Sequence, residues 1–369
     1  MRRLICTFVV VFVFAALAGC SDDTCPTCPE PPVDGHYSGL AYLSMQFGFQ
    51  GFYIYDTDLW QIVDSVMQVG YATGTTVMDV SPDGRYLVVL YADLSFNETR
   101  IYDTRTRQQI TSIPKSADYE FTADGQFLIR SRQGIFSKFS VPSFALISED
   151  TLFDNGVDFT LSAETRSIFA VPDYHDVYQI SYDSMKIIRE WEPVDQTTGI
   201  PIFVYYFDVH PNGNLLYING SAGYNEFFVY DLIADSVIAS YPMYERFGDI
   251  GVTPDGSEVW VTDPGRVDIP FSRPEVGTVF IFDAYTGAYT GGVSLYGYIN
   301  GAPQIALDAT RVDFSPDGSE VYISTGAIGP RENSGTFLRI DTRSRELIDN
   351  IFPEVDRFPG RVIVGPKPR

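Results

Sequence analysis

The chain has 369 residues, 45% hydrophobic and 15% aromatic, ample for a sizeable core and too apolar for a disordered chain. Its 25 Lys and Arg stand against 48 Asp and Glu, a formal net charge of −23, which argues against nucleic acid as a partner because nothing would neutralise the phosphates. The length alone would suit two or three domains, but repeat proteins and closed β architectures escape that rule.

Residues 1–19 run from Arg2-Arg3 through an apolar stretch, Leu4 to Leu17, to Ala18-Gly19, followed by Cys20: the charged, apolar and small-residue succession of a secretory signal. The apolar stretch is shorter than the roughly 20 residues that cross a bilayer, and no later segment is uniformly apolar over such a length. Leu17-Ala18-Gly19-Cys20 resembles the bacterial lipobox, which implies cleavage before Cys20, a diacylglycerol thioether on its sulfur and acylation of the new amine. An ordinary signal peptide would keep the export and lose the anchor. Several acyl chains, at about 0.8 kcal/mol per buried methylene, suffice for stable anchoring. Loss of Arg2 and Arg3 takes the net charge from −23 to −25, which an anionic bilayer surface repels. Ser21 rather than Asp follows Cys20, which in enterobacterial-type sorting implies the outer membrane. The expected location is thus outside the cytoplasm, on a bacterial outer membrane or cell surface through lipid alone.

Residues 20–33 form a Pro-rich, extended tether. With Cys6 removed and Cys20 lipidated, only Cys25 and Cys28 remain, as a Cys-x-x-Cys pair. Pro26, Pro29, Pro31 and Pro32 forbid the helix that a redox motif needs, and no second pair exists for zinc. A local disulfide is expected, with inert free thiols as the alternative.

From residue 34 to 369 the sequence repeats. One unit runs Asp79-Val80-Ser81-Pro82-Asp83-Gly84, then Arg85 to Leu90, then Arg100 to Thr104, then Gln109 to Ile113, predicting four strands separated by polar turns. The turn recurs as Ala123-Asp124-Gly125, Ala163-Glu164-Thr165, Pro211-Asn212-Gly213, Pro254-Asp255-Gly256 and Pro316-Asp317-Gly318, with third positions 41, 40, 48, 43 and 62 residues apart. A hydrophobic residue followed by Asp marks the end of each third strand, at Asp56, Asp103, Asp183, Asp231, Asp283 and Asp341, while the third repeat has Phe139-Ser140. Periodicity makes all six Asp structural, as Asx-turn caps. The first repeat lacks an innermost strand, and Gly360 to Pro366 stands where a new one would begin. The expectation is an all-β, seven-bladed β-propeller of four-stranded antiparallel blades, the first closed by the C-terminal strand, a closure that removes an exposed edge.

Ser-Pro-Asp-Gly, an apolar strand, a loop and a hydrophobic-Asp-Thr segment resemble the YVTN or surface-layer-type β-propeller repeat, as in YncE-like periplasmic proteins and the seven-bladed lactonases. The tetrapeptide itself survives only loosely, as in Val259-Trp260-Val261-Thr262 and Val321-Tyr322-Ile323-Ser324. Such a repeat specifies architecture, and the same ring hosts unrelated activities.

Long loops on one face of the later blades are the expected binding face for an envelope protein or glycan. They carry Arg266, Arg273 and Glu275 in blade 6, Arg331 and Glu332 in blade 7, and Tyr296, Tyr298 and Asn300 between those blades. Tyr174 and Tyr224 suit recognition surfaces. Asp173, His175 and Asp176 share the Tyr174 loop, as a solvated turn or part of a metal or acid/base site. On the innermost strands, three residues before each turn, stand Asp79, Glu120, Thr160, Asp208, Gly251, Asp313 and Ile363. Four acids facing one channel would raise one another's pKa or recruit a cation, and oxygen-only ligands favour calcium or magnesium; otherwise each carboxylate bonds to a neighbouring blade's backbone. No cofactor is needed by the second reading. The three His share no ligand spacing, and no nucleophile elbow, phosphate loop or dinucleotide fingerprint is present. A non-enzymatic, membrane-anchored scaffold is therefore expected; the alternative is a metal-assisted hydrolase or lactonase using the channel acids, Asp79, Asp208 and Asp313 among them.

Overall fold

The computed structural model describes residues 36–45, 51–67, 74–92, 98–114, 118–243, 248–262, 278–295, 307–327, 335–351 and 359–368. They form seven four-stranded antiparallel sheets arranged as the blades of a propeller, plus a two-residue-per-strand hairpin, Val194–Asp195 with Ile200–Pro201, between blades 4 and 5. The innermost strands of blades 2 to 7 are Gly74–Val80, Asp118–Phe121, Asp158–Ser162, Phe203–Val209, Ile250–Val252 and Leu307–Phe314. Blade 1 takes its innermost strand from Pro359–Pro366, which pairs antiparallel with Gly39–Met45 through partners such as Leu40 with Gly365 and Tyr42 with Ile363.

The second strand of a blade is covered on both faces by its neighbours, so Ser167–Val171 is buried at every position and from Ile168 to Val171 is continuously apolar. Outer strands are the reverse: Lys186–Trp191 is exposed at five of six residues. Between blades the core is aromatic and aliphatic, as where Tyr42, Phe52 and Ile54 of blade 1 meet Val77, Leu87, Val89 and Tyr102 of blade 2.

The recurrent turn has a definite mechanism. The Ser81 hydroxyl donates to Asp83 Oδ1 (2.6 Å) and accepts from Tyr86 N–H (2.8 Å), while Gly84 N–H donates to the Ser81 carbonyl (2.7 Å). Gly84, at φ +71°, is required twice over: a Cβ there would sit 2.0 Å from the Pro366 carbonyl oxygen. In blade 5 His210 replaces the Ser, accepting Asn212 N–H at Nδ1, with Nε2 3.0 Å from the Gly256 carbonyl of blade 6.

Five of the six periodic Asp cap their turns as expected. Asp231, for one, accepts from Ile233 N–H and Ala234 N–H at 2.8 Å each, and Asp56, Asp103, Asp283 and Asp341 do likewise. Asp183 departs from that expectation. Its carboxylate is exposed and engages the Arg166 guanidinium (2.9 Å), while the Ser181 hydroxyl accepts the turn's N–H from Ser184.

Blades 1 and 7 meet through buried ions. Glu320 and Arg339, both 0% exposed, are joined by two hydrogen bonds of 2.8 and 2.7 Å. Arg339 also donates to the Thr57 carbonyl (2.8 Å), and Glu320 accepts from Tyr37 N–H (3.0 Å) and the Tyr322 hydroxyl (2.8 Å), with His36 Nδ1 3.0 Å away.

Candidate functional site

The second-to-third strand loops and the blade-to-blade connections share one face, here called the upper face. Of the residues expected to form a binding face there, Arg266, Arg273, Glu275, Tyr296, Tyr298, Asn300, Arg331 and Glu332 lie outside the described residues, as do Cys20, Cys25 and Cys28.

Asp173, Tyr174, His175 and Asp176 fall in the loop of blade 4. Asp173 Oδ1 accepts from His175 N–H (3.2 Å) and Asp176 N–H (3.1 Å), so this carboxylate is occupied in holding the turn. The turn puts Tyr174 at φ +68° and its carbonyl 2.6 Å from Val204 N–H on the innermost strand of blade 5. As a result the Tyr174 ring, 54% exposed, stacks on Phe203 (centroids 5.7 Å, planes 16° apart) and lies 6.4 Å from Tyr205. Phe203 is further touched by Tyr205 at 5.3 Å and by the edge of His175 at 4.3 Å. Tyr224, 81% exposed, stands on the next loop of the same face. Phe203 and Tyr205 escaped the sequence reading; the signal for them was the aromatic run Phe203-Val204-Tyr205-Tyr206-Phe207 at the strand's upper end.

Inside the ring is a cavity of about 430 Å³ lined by the innermost strands. Its deeper layer holds the expected acids, and their partners are mainly backbone. Asp79 accepts from its neighbour Val80 N–H (2.7 Å) and from Phe121 N–H of blade 3 (2.5 Å); Glu120 accepts from Leu161 N–H of blade 4 (3.3 Å). Asp208 accepts from Val209 N–H (2.8 Å), from Val252 N–H of blade 6 (3.1 Å) and from the Thr160 hydroxyl of blade 4 (3.2 Å); Asp313 accepts from Val364 N–H of blade 1 (2.9 Å). Each carboxylate thus clamps the following blade. Where Gly251 offers no side chain, Asp249 takes over and accepts from Val312 N–H of blade 7 (3.2 Å). Burial pushes Asp79 and Asp208 up to about 6 and Asp313 up to about 7. Glu120 is raised well above the usual range by burial and then by the charges of Asp79 and Asp208.

Nearer the upper face the same strands present Asp118, Asp158, Tyr206, Asp249, Arg311 and Arg361 to the cavity. Arg311 lies 3.5 Å from Asp249 and 5.5 Å above the Tyr206 ring. Burial raises Asp118 and Asp158, and the Asp158 charge raises Asp118 further. Among the described residues no three His, Cys, Asp or Glu side chains converge as a metal-ligand group.

No family model matches the chain, and no curated protein matches it. Solved structures do. A functionally unknown protein from Desulfotomaculum acetoxidans is similar over 89% of this chain and 100% of its own, at TM-score 0.64 and 15% identity. The Myceliophteria thermophila Cps50 (Swd1) β-propeller domain matches 82% of this chain and 92% of its own, at TM-score 0.60 and 14% identity. Dihydro-heme d1 dehydrogenase NirN matches 90% of this chain and 76% of its own, at TM-score 0.55 and 15% identity. At such identities the likeness is one of fold. The chain is a seven-bladed β-propeller whose first blade is completed by the strand Pro359–Pro366.

Proposed function

We propose that this propeller is an exported, lipid-anchored member of the YVTN-like group and works as a binding scaffold for an envelope protein or glycan, without catalysis of its own. The observation that carries the reading is the aromatic cluster of Tyr174, Phe203 and Tyr205 on the upper face, built by the Tyr174 carbonyl contact rather than by core packing. Stacked aromatics with exposed faces give large contact area at low entropic cost, the property of interface anchors. Cys20 would supply the anchor and residues 20–33 the spacing from the membrane.

The hydrolase alternative has less behind it, because both carboxylate oxygens of Asp79 and of Asp208 already accept backbone hydrogen bonds, one from the next residue of the same strand and one from the following blade. The test is capture from envelope extracts with the detergent-purified protein, against Tyr174→Ala and Phe203→Ala. A partner retained by the parent and lost by both variants supports the scaffold. Capture that ignores both substitutions, or lactone turnover abolished by Asp208→Ala with folding retained, would defeat it.

A further inference from the structure

The mouth of the central channel is divided by charge. Asp118 and Asp158 project from adjacent blades 3 and 4; Arg311 and Arg361 project from adjacent blades 7 and 1, across the ring. Arg311 is engaged by Asp249 and by the Tyr206 ring. Arg361 is different: its side chain has no hydrogen-bond or ion-pair partner among the described residues, although its field reaches Asp118, Glu120, Asp79 and Asp313 and lowers the pKa of each. Asp118 and Asp158 likewise accept no hydrogen bond among the described residues, whereas the acids of the deeper layer are satisfied by backbone.

The two layers thus differ in kind. The deeper carboxylates have a structural task that accounts for them. The mouth keeps two carboxylates and one guanidinium uncommitted, on opposite sides of a cavity whose volume, about 430 Å³, falls in the range of small-molecule sites. A simple cation would answer the acids and leave Arg361 facing it, and a simple anion would answer Arg361 and face the acids. A ligand carrying both charges answers both.

We propose that the channel mouth binds a small zwitterion, its ammonium between Asp118 and Asp158 and its carboxylate on the Arg361 guanidinium. No covalent step is involved. The site stands apart from the aromatic face, since none of Tyr174, Phe203 and Tyr205 lines the cavity, and the two proposals fail separately.

The experiment is calorimetric titration of the full-length protein, purified in detergent, with glycine, 4-aminobutyrate and 6-aminohexanoate, and with butylamine and butyrate as half-ligands. At least one aminocarboxylate should bind at least tenfold more tightly than either half-ligand. Arg361→Gln should abolish the advantage over butylamine, and Asp118→Asn with Asp158→Asn should abolish it over butyrate. These side chains line the cavity and make no hydrogen bond or ion pair that joins blades among the described residues, and the melting temperature of each unliganded variant checks that the ring is intact. Absence of heat and of a melting shift with all three aminocarboxylates would overturn the proposal. So would butylamine binding as tightly as the aminocarboxylates and unaffected by Arg361→Gln, which would leave a plain cation site.

Discussion

Replacing Arg339 by Met tests how the ring is closed. The Met side chain follows the aliphatic stem of Arg339 but removes its two hydrogen bonds to Glu320 and the one to the Thr57 carbonyl. It also removes the cation 5.3 Å above the Trp60 ring. Glu320, 0% exposed, is then left with Tyr37 N–H, the Tyr322 hydroxyl and His36 as partners for a full negative charge. Removing one member of a buried pair costs about 3–5 kcal/mol, mostly through the stranded charge. For a chain of 369 residues that is a fall in melting temperature of roughly 4–7 °C, at about 1.3 °C per kcal/mol. The double variant Arg339→Met with Glu320→Gln removes the stranded charge and should regain at least about 1 kcal/mol over the single one. Urea titrations at pH 7 followed by far-UV circular dichroism give both differences. A loss below about 1 kcal/mol for Arg339→Met, or a double variant less stable than the single, would refute the reasoning.

Three further outcomes are expected. Because Asp79 and Asp208 titrate near 6 and Asp313 near 7 in the folded protein against an ordinary 3.8, the native state binds more protons between those limits, and stability falls as pH rises through that window. Every tenfold gain in a carboxylate's proton affinity on folding corresponds to at most about 1.4 kcal/mol, reduced by channel water; melting temperatures should be higher at pH 5.5 than at pH 8, and a curve climbing steadily from 5.5 to 8 would contradict this. Gly84→Ala should cost at least about 2 kcal/mol, because φ +71° is strained for Ala and the new Cβ meets the Pro366 carbonyl; an unchanged melting temperature would show that the lower contact between blades 1 and 2 can open freely. Tyr174→Ala should weaken binding of a captured partner about tenfold or more while shifting the melting temperature by less than about 2 °C, because the ring is 54% exposed; a large melting shift would make Tyr174 a structural residue.

What was legible in the sequence is what repeats. The Ser-Pro-Asp-Gly turn is a local hydrogen-bonded motif, so its recurrence gave the strand count, and Gly360 to Pro366 was recognisable as the missing strand because Pro366 occupies the place that Pro82, Pro211, Pro254 and Pro316 hold elsewhere. The channel acids were visible for the same reason, as a position in register. Features that occur once were not. Arg311 and Arg361 sit one layer above the recurrent acids, at a position that carries Asp in blades 3, 4 and 6, Tyr in blade 5 and Arg in blades 7 and 1, so no one residue type marks it as a repeat. Asp183 matched the pattern of its five counterparts but has Arg166 beside it, and that pairing is tertiary. The Glu320–Arg339 pair announced itself only as charge inside apolar strands, since its contacts with Tyr37 and Thr57 join residues more than 280 apart.

The pairing of Gly39–Met45 with Pro359–Pro366 changes the statistics of unfolding. In a linear stack of repeats the terminal units have one neighbour instead of two, and structure is lost from them inward, one repeat at a time. Here every blade has two neighbours, because Leu40 is paired with Gly365 across 325 residues of chain. There is no terminal repeat from which loss can start, so the first blade to open must break two interfaces at once. That requirement couples all seven blades into one cooperative transition and places the barrier to unfolding at the initial breach of the ring.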